Sequence, residues 1–354
     1  MTPLAEILLR RIAATGPITI ADYMAECLLH PEYGYYSTRD PFGAGGDFTT
    51  APEISQMFGE LIGLCLAQTW LDQDQPAAFT LAELGPGRGT LMADILRATG
   101  QVPGFLQAAN LCLVEASVTL REKQRETLGA YQVNWLDRVS DLPDAPLYLV
   151  ANEFFDALPI RQFTRDEKGW REHQITDQEG SLQIGLSTPA PIAALDHRLN
   201  DTKPGDIVEI CAPGVAIAGS LSTRINVHGG VAIIVDYGGW RSLGDTLQAL
   251  RHHKMEDPLA NPGNADITAH VDFEALASAA TDISTSQMTP QGVLLERLGI
   301  TARARQLAEN LQGDALDSHV AAHRRLTHGD EMGTLFKAIA FHPNGTNPPP
   351  GFAP

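Results

Sequence analysis

The chain has 354 residues, 43 Asp and Glu against 25 Lys and Arg, and a formal net charge of −18. Hydrophobic residues at 44% supply ample core, which excludes a disordered chain, and the length suits one large domain or a core with insertions. The acidic balance argues against a nucleic-acid surface, which needs clustered Lys and Arg, and fits a cationic partner no better than plain solubility.

Residues 4–14 have the apolar spacing of an amphipathic helix stopped by Gly16-Pro17, and not the uninterrupted apolar run of a secretory signal. No stretch approaches the ~20 apolar residues of a membrane span. A second helix is predicted over 19–29. A glycine-rich loop follows, running from Tyr33 to Asp47. Thr50, Pro52 and Glu53 then have the positions of an N-cap, a first-turn proline and a capping-box acid, predicting one helix from there to about Trp70.

From residue 79 the pattern changes. Strands are predicted at 79–84, 111–115, 131–135 and 147–151, with helices at 91–98 and 119–128 between them. Apolar strands alternating with helices imply a parallel sheet covered on both faces. Residues 161–204 are polar with short alternating runs, which predicts a small β insertion. A helix over 213–225 and a buried strand over 230–237 return to the main sheet. Helices are expected over 271–280, 301–311 and 332–340, and a surface tail over 343–354. His252-His253, beside Arg251 and Lys254, reads as a solvated helix end. Cys27, Cys65, Cys112 and Cys211 lie among apolar neighbours without a C-x-x-C pair, so reduced buried thiols are expected, and neither a disulfide framework nor a metal site.

The segment Glu83-Leu84-Gly85-Pro86-Gly87-Arg88-Gly89-Thr90 follows a strand and opens a helix. Glycines there let a ligand approach the backbone. A dinucleotide fingerprint fails at Thr90, and a phosphate-binding Walker loop lacks its lysine. An acid followed by G-x-G-x-G fits an S-adenosylmethionine loop at each place. Glu115 stands thirty residues past Gly85, directly after the next strand, where a carboxylate can accept ribose hydroxyls. A helix N-terminal acid is the plain alternative for Glu115. Asp137, after the third strand, is either an adenine-side residue or a surface acid.

Glu153 and Asp156 follow the apolar fourth strand, at the sheet edge where open α/β folds bind ligands. Carboxylates there can accept guanidinium N–H groups bidentately; capping of the next turn is the alternative. Asn152 could bind cofactor or substrate through its amide, and Phe154 and Phe155 either flank the reacting groups or simply pack. Asp236 and Tyr237 are candidates for a substrate wall.

Three segments carry a family resemblance: Gly45-Gly46-Asp47-Phe48-Thr49-Thr50-Ala51-Pro52-Glu53-Ile54-Ser55, the Glu83–Thr90 loop, and Asn152-Glu153-Phe154-Phe155-Asp156-Ala157-Leu158-Pro159. The runs 235–238 and 266–273 add to it. The chain resembles the MidA-like protein arginine methyltransferases, whose mitochondrial members assist assembly of respiratory complex I.

The resemblance implies a Rossmann-like α/β class I methyltransferase with a mostly parallel sheet. Its expected parts are a helical cap over 1–75, a core over 76–160 and 205–342, the β insertion over 161–204 and the tail. It implies an S-adenosylmethionine cofactor held by Asp47, Thr49, Thr50, Glu83, Gly85, Pro86, Gly87, Gly89, Thr90, Glu115, Asp137 and Asn152. It also implies dimethylation, with Glu153 and Asp156 as the catalytic acids, of an arginine of a protein client, a complex I subunit or its bacterial equivalent. The expected location is a bacterial cytoplasm, or the mitochondrial matrix in a eukaryote. A non-catalytic assembly factor and a nicotinamide oxidoreductase stand as alternatives.

Overall fold

The computed structural model describes residues 1–38 and 49–353. Gly43, Gly45, Gly46 and Asp47 of that loop therefore lie outside the described residues.

The N-terminal part contains α1 (Pro3–Thr15), α2 (Ile20–Leu29) and the short α3 (Tyr35–Thr38). Thr19 caps α2 in a reciprocal capping box with Asp22. The single helix expected after Thr50 is instead two, α4 (Ala51–Ile54) and α5 (Gln56–Asp72). Ser55 is extended and its hydroxyl accepts from the Met57 N–H, so a second cap restarts the helix. Thr50 makes no side-chain cap bond, and Glu53 accepts from the Thr90 hydroxyl at 2.5 Å instead of closing a capping box.

The core alternates β1 (Phe79–Leu84), α6 (Thr90–Thr99), β2 (Ala109–Val114), α7 (Val118–Thr127), β3 (Val133–Leu136) and β4 (Leu147–Asn152). The insertion adds β5 (Arg161–Asp166), β6 (Gly169–Gln178), β7 (Ser181–Leu186) and β8 (Ile207–Ile210). Helix α8 (Ala212–His228) then leads into β9 (Gly230–Gly239). Helix α9 (Phe273–Ala279) and strand β10 (Phe336–His342) come later.

In the main sheet the order is β3-β2-β1-β4-β9-β10, parallel from β3 to β9, with β10 antiparallel at Val235↔Ala338. This is a Rossmann-like α/β fold. Alternate residues of each strand enter opposite cores. Leu81, Tyr148, Val150 and Ile233 face the layer of α5 and α6, whereas Ala82, Leu149, Ala151 and Ala232 face the layer of α8 and α9. Strand order reverses between β1 and β4, which opens a crevice at their carboxyl ends.

Several expectations need correction. Residues 336–342 form β10, not the end of a helix: an apolar run fits both periods, and pairing with β9 decides it. Residues 271–272 pair in parallel with β9, so the helix begins only at Phe273. Helix Asp314–Thr327 was not anticipated. Strand β8 pairs with β5, so the insertion sheet continues past residue 204. His252 and His253 form the tight turn of a hairpin, with φ of 51° and 59° and Arg251 opposite Lys254. The tail packs inward, with Phe352 buried in the core and the Cys65 thiol donating to the Pro350 carbonyl at 3.3 Å. Cys27, Cys65 and Cys112 are buried free thiols, and Cys211 is a half-buried one. Among the described residues no helix is long and apolar enough to cross a membrane.

Candidate active site

The glycine loop turns out of β1 with Gly85, Gly87 and Gly89 at φ of 62°, 52° and 83°. Side chains are strained there, which is why glycines occupy the turn. A Cβ on Gly85 would also stand 2.8 Å from the Phe154 ring. The Gly89 N–H closes the turn on the Pro86 carbonyl at 2.7 Å, and Thr90 begins α6.

Two cavities meet at this loop. The larger, of about 510 Å³, has a mostly apolar wall that includes Val114, Val139, Phe154 and Leu158, with Leu28 and Tyr36 reaching over from α2 and α3. Glu115 and Asp137 add carboxylates to it. The smaller, of about 40 Å³, has Thr50, Glu53, Glu83, Arg88, Thr90 and Asn152 among its lining residues. Gly85, Gly87 and Glu153 line both. Thr49 is partly buried just ahead of α4.

Glu83 is buried and its Oε2 has no hydrogen-bond partner among the described residues. Burial, reinforced by the Glu115 carboxylate, pushes its carboxyl up to about 8 against an opposing Met92 N–H. The Asn152 amide oxygen is a second buried acceptor without a partner among the described residues. Two such acceptors in one small polar cavity suit an ammonium group.

Glu115 directly follows β2. One oxygen accepts from the Ser117 N–H at 2.8 Å and the other from Gln124 at 3.1 Å. Each oxygen retains a lone pair for a further donor, and the residue lines the larger cavity. Its local N–H bond is the helix-start role weighed against ligand binding, so the side chain does the structural part and remains open to the other. Burial raises its pKa. Asp137 is exposed at the rim and paired with Arg121 at 2.6 Å. Arg121 also donates to the carbonyls of Glu115 and Leu136, tying the ends of β2 and β3 together.

The segment after β4 turns sharply. Glu153 has φ of 52°, an unusual conformation for a non-glycine residue, and its N–H donates to the Val235 carbonyl at 3.0 Å. Its Oε1 accepts from the Asn152 amide at 3.1 Å and from the Ala51 N–H at 3.2 Å, so the cap of α4 comes from 102 residues away. Burial and the nearby Asp156 push its carboxyl up to about 8. Asp156 is buried, its Oδ1 has no hydrogen-bond partner among the described residues, and burial raises it to about 6. Asp236, at the end of β9, accepts the N–H groups of Phe155 at 3.0 Å, Asp156 at 3.3 Å and Tyr237 at 2.9 Å. Burial, then the charges of Asp156 and Glu153, hold its pKa well above the usual carboxylate range. Two buried acids and the half-buried Glu153 thus converge where a cation is strongly favoured. The Tyr237 hydroxyl is within 2.5 Å of Thr268 and accepts from Gln248 at 3.2 Å, so it is satisfied.

Sequence reasoning did not single out Tyr36, whose hydroxyl donates to Asp266 at 2.9 Å above the cavity, or Gln124. Tyr36 stood in the aromatic run before the glycine loop and Asp266 in one of the family-like segments, which was the available signal.

A parallel sheet with a glycine turn after β1, an acid after β2 and an acidic loop after β4 defines a nucleoside-cofactor site of the methyltransferase kind. Residues 61–292 match the family model described as S-adenosyl-L-methionine-dependent methyltransferase. The protein arginine methyltransferase NDUFAF7, mitochondrial, of Xenopus tropicalis is 35% identical over 372 residues, covering 95% of this chain and 85% of that protein. Its human counterpart is 35% identical over 376 residues, covering 97% and 84%. A Burkholderia thailandensis crystal structure with S-adenosyl-homocysteine bound has a TM-score of 0.82 at 31% identity, covering 96% of this chain and 91% of that one. The chain belongs to this S-adenosylmethionine-dependent methyltransferase family.

Proposed function

We propose that the protein methylates an arginine of a protein client, with Glu153 and Asp156 receiving the guanidinium. The observation that carries this reading is the convergence beside the cavities of the half-buried Glu153 with the buried Asp156 and Asp236, Asp156 Oδ1 having no hydrogen-bond partner among the described residues. Arginine stays protonated at any ordinary pH, so a site for it needs charge as well as shape.

Glu83, Asn152 and Thr50 would hold the amino-acid end of S-adenosylmethionine in the small cavity, with Glu115 on the ribose and the apolar cavity around the base. When bound, the cofactor supplies an electrophilic methyl group on a sulfonium. Glu153 would accept guanidinium N–H groups and keep one nitrogen oriented. Asp156 would take the proton that the substituted nitrogen gives up. Asp236 keeps the acid loop in place through its bonds to the Phe155 and Asp156 N–H groups. Phe154 and Leu158 exclude water from the larger cavity.

The names of the relatives support arginine as the target, and the family resemblance extends the proposal to a subunit of respiratory complex I or its bacterial equivalent. In a bacterium the activity would be cytoplasmic; the relatives named above are mitochondrial. Mass spectrometry of methylarginine in wild-type and deletion cells tests this. We expect one or a few client arginines to lose methylation in the deletion and regain it with the wild-type gene. An unchanged methylarginine profile would favour a binding role without turnover.

A further inference from the structure

Gln124 lies on α7, fully buried, and does not line either cavity. Its amide is used at both ends. Nε2 donates to the Gly87 carbonyl at 2.8 Å and to Glu115 Oε2 at 3.1 Å, and Oε1 accepts from the Trp135 indole N–H at 2.8 Å. An indole N–H only donates and a backbone carbonyl only accepts, so the neighbours admit one orientation of the amide. The three contacts fall on the glycine loop after β1, the acid after β2 and strand β3. Helix α7 also lies against the loop, because a Cβ on Gly89 would come 3.6 Å from Gln124 Cα.

We propose that Gln124 is a positioning residue for the cofactor, setting Glu115 and the Gly87 backbone in mutual register, with Trp135 locking its amide. The inference rests on reading Glu115 as the ribose acceptor. One carboxylate oxygen is oriented by the Ser117 N–H, a local contact, and the other accepts from Gln124, a contact from the middle of α7. Loss of the amide leaves Gly87 O, Glu115 Oε2 and Trp135 Nε1 short of a partner together.

The test measures S-adenosyl-homocysteine binding by calorimetry at pH 6 and pH 8, with thermal midpoints of the free proteins alongside. Gln124→Met keeps the size and removes the polar atoms; binding should weaken roughly 10–100-fold. Gln124→Glu puts a second carboxyl beside Glu115, near Glu83, Arg121 and Arg125. Its protonated form can still donate, whereas its ionised form repels Glu115. The ratio of variant to wild-type dissociation constants should therefore rise about tenfold or more from pH 6 to pH 8. Trp135→Phe leaves Gln124 Oε1 without its donor, loosening the amide without reversing it, and should cost about threefold.

A purely structural Gln124 would lower the thermal midpoint while affinity stays within twofold and the ratio is flat with pH; that outcome overturns the proposal. Should Gln124→Met fail to fold, Gln124→Glu at the two pH values and Trp135→Phe decide it. Glu115→Ala separates the two failures. If it binds like wild type, the ribose reading fails; if it binds weakly while the Gln124 and Trp135 variants do not, only the positioning role fails.

Discussion

Replacing Glu83 by Gln should make the cofactor-free protein more stable at alkaline pH and leave it nearly unchanged in acid. The Glu83 carboxyl is buried, one oxygen has no partner among the described residues, and burial pushes its pKa up to about 8 against an ordinary value of 4.5. A carboxyl raised on folding binds its proton more tightly in the folded chain. Its stabilising contribution is complete below 4.5 and is lost as the pH climbs through 8. At about 1.4 kcal/mol per pH unit the gap corresponds to roughly 5 kcal/mol from this one group. The amide of Glu83→Gln has no proton to lose, so the stability difference between variant and wild type should widen steadily from pH 5 to pH 8.5. Urea denaturation across that range measures it. Parallel curves for the two proteins would refute the reasoning, because they would mean that the carboxyl is solvated in the free protein. A second readout bears on the cofactor. If Glu83 ionises against the ammonium group, binding of S-adenosyl-homocysteine at pH 7 should release close to one proton more in wild type than in Glu83→Gln, by calorimetry in buffers of different ionisation enthalpy.

Gly85→Ala places a methyl at φ of 62° and 2.8 Å from the Phe154 ring, so Phe154 must shift into the larger cavity. A fold retained with a loss of about 1–2 kcal/mol in stability and a tenfold or greater loss in S-adenosyl-homocysteine affinity is expected from melting and titration. Glu115→Ala should cost about 1.5–3 kcal/mol in the same titration, the range for hydrogen bonds to a charged group; unchanged affinity with lowered stability would leave it only a helix-start residue. Asp137→Ala should change affinity less than about threefold, because the carboxylate is exposed and already paired with Arg121; a tenfold loss would show that it contacts the base.

Much of the fold was legible because the central strands are buried on both faces and their apolar runs end at glycines or acids. The Glu83–Thr90 turn needs no long-range information: three glycines at fixed spacing suffice. Strand β10 was not legible, since Phe336-Lys337-Ala338-Ile339-Ala340-Phe341 fits a buried helix as well as a buried strand until β9 lies beside it. The break at Ser55 was hidden because two capping residues compete within five positions and only packing chooses. In the site, Glu153 and Asp156 could be found as acids after a strand. Glu153 as the cap of α4, Asp236 as the acceptor for the acid loop and Gln124 as a link between three segments could not. Each depends on partners between 9 and 102 residues away, and the closer of these contacts looks like an ordinary polar residue of a helix.

The most direct test of the arginine site is Glu153→Gln, assayed in parallel for S-adenosyl-homocysteine binding and for single-turnover methylation of the client arginine. The variant keeps the side-chain shape and an acceptor for the Ala51 N–H but removes the charge. With Glu153 on the guanidinium, cofactor affinity should stay within about threefold while methyl transfer falls roughly 10²-fold or more, as for loss of one preorganised electrostatic group. Full activity in Glu153→Gln would contradict the account, and an equal fall in affinity and rate would move Glu153 from the substrate to the cofactor.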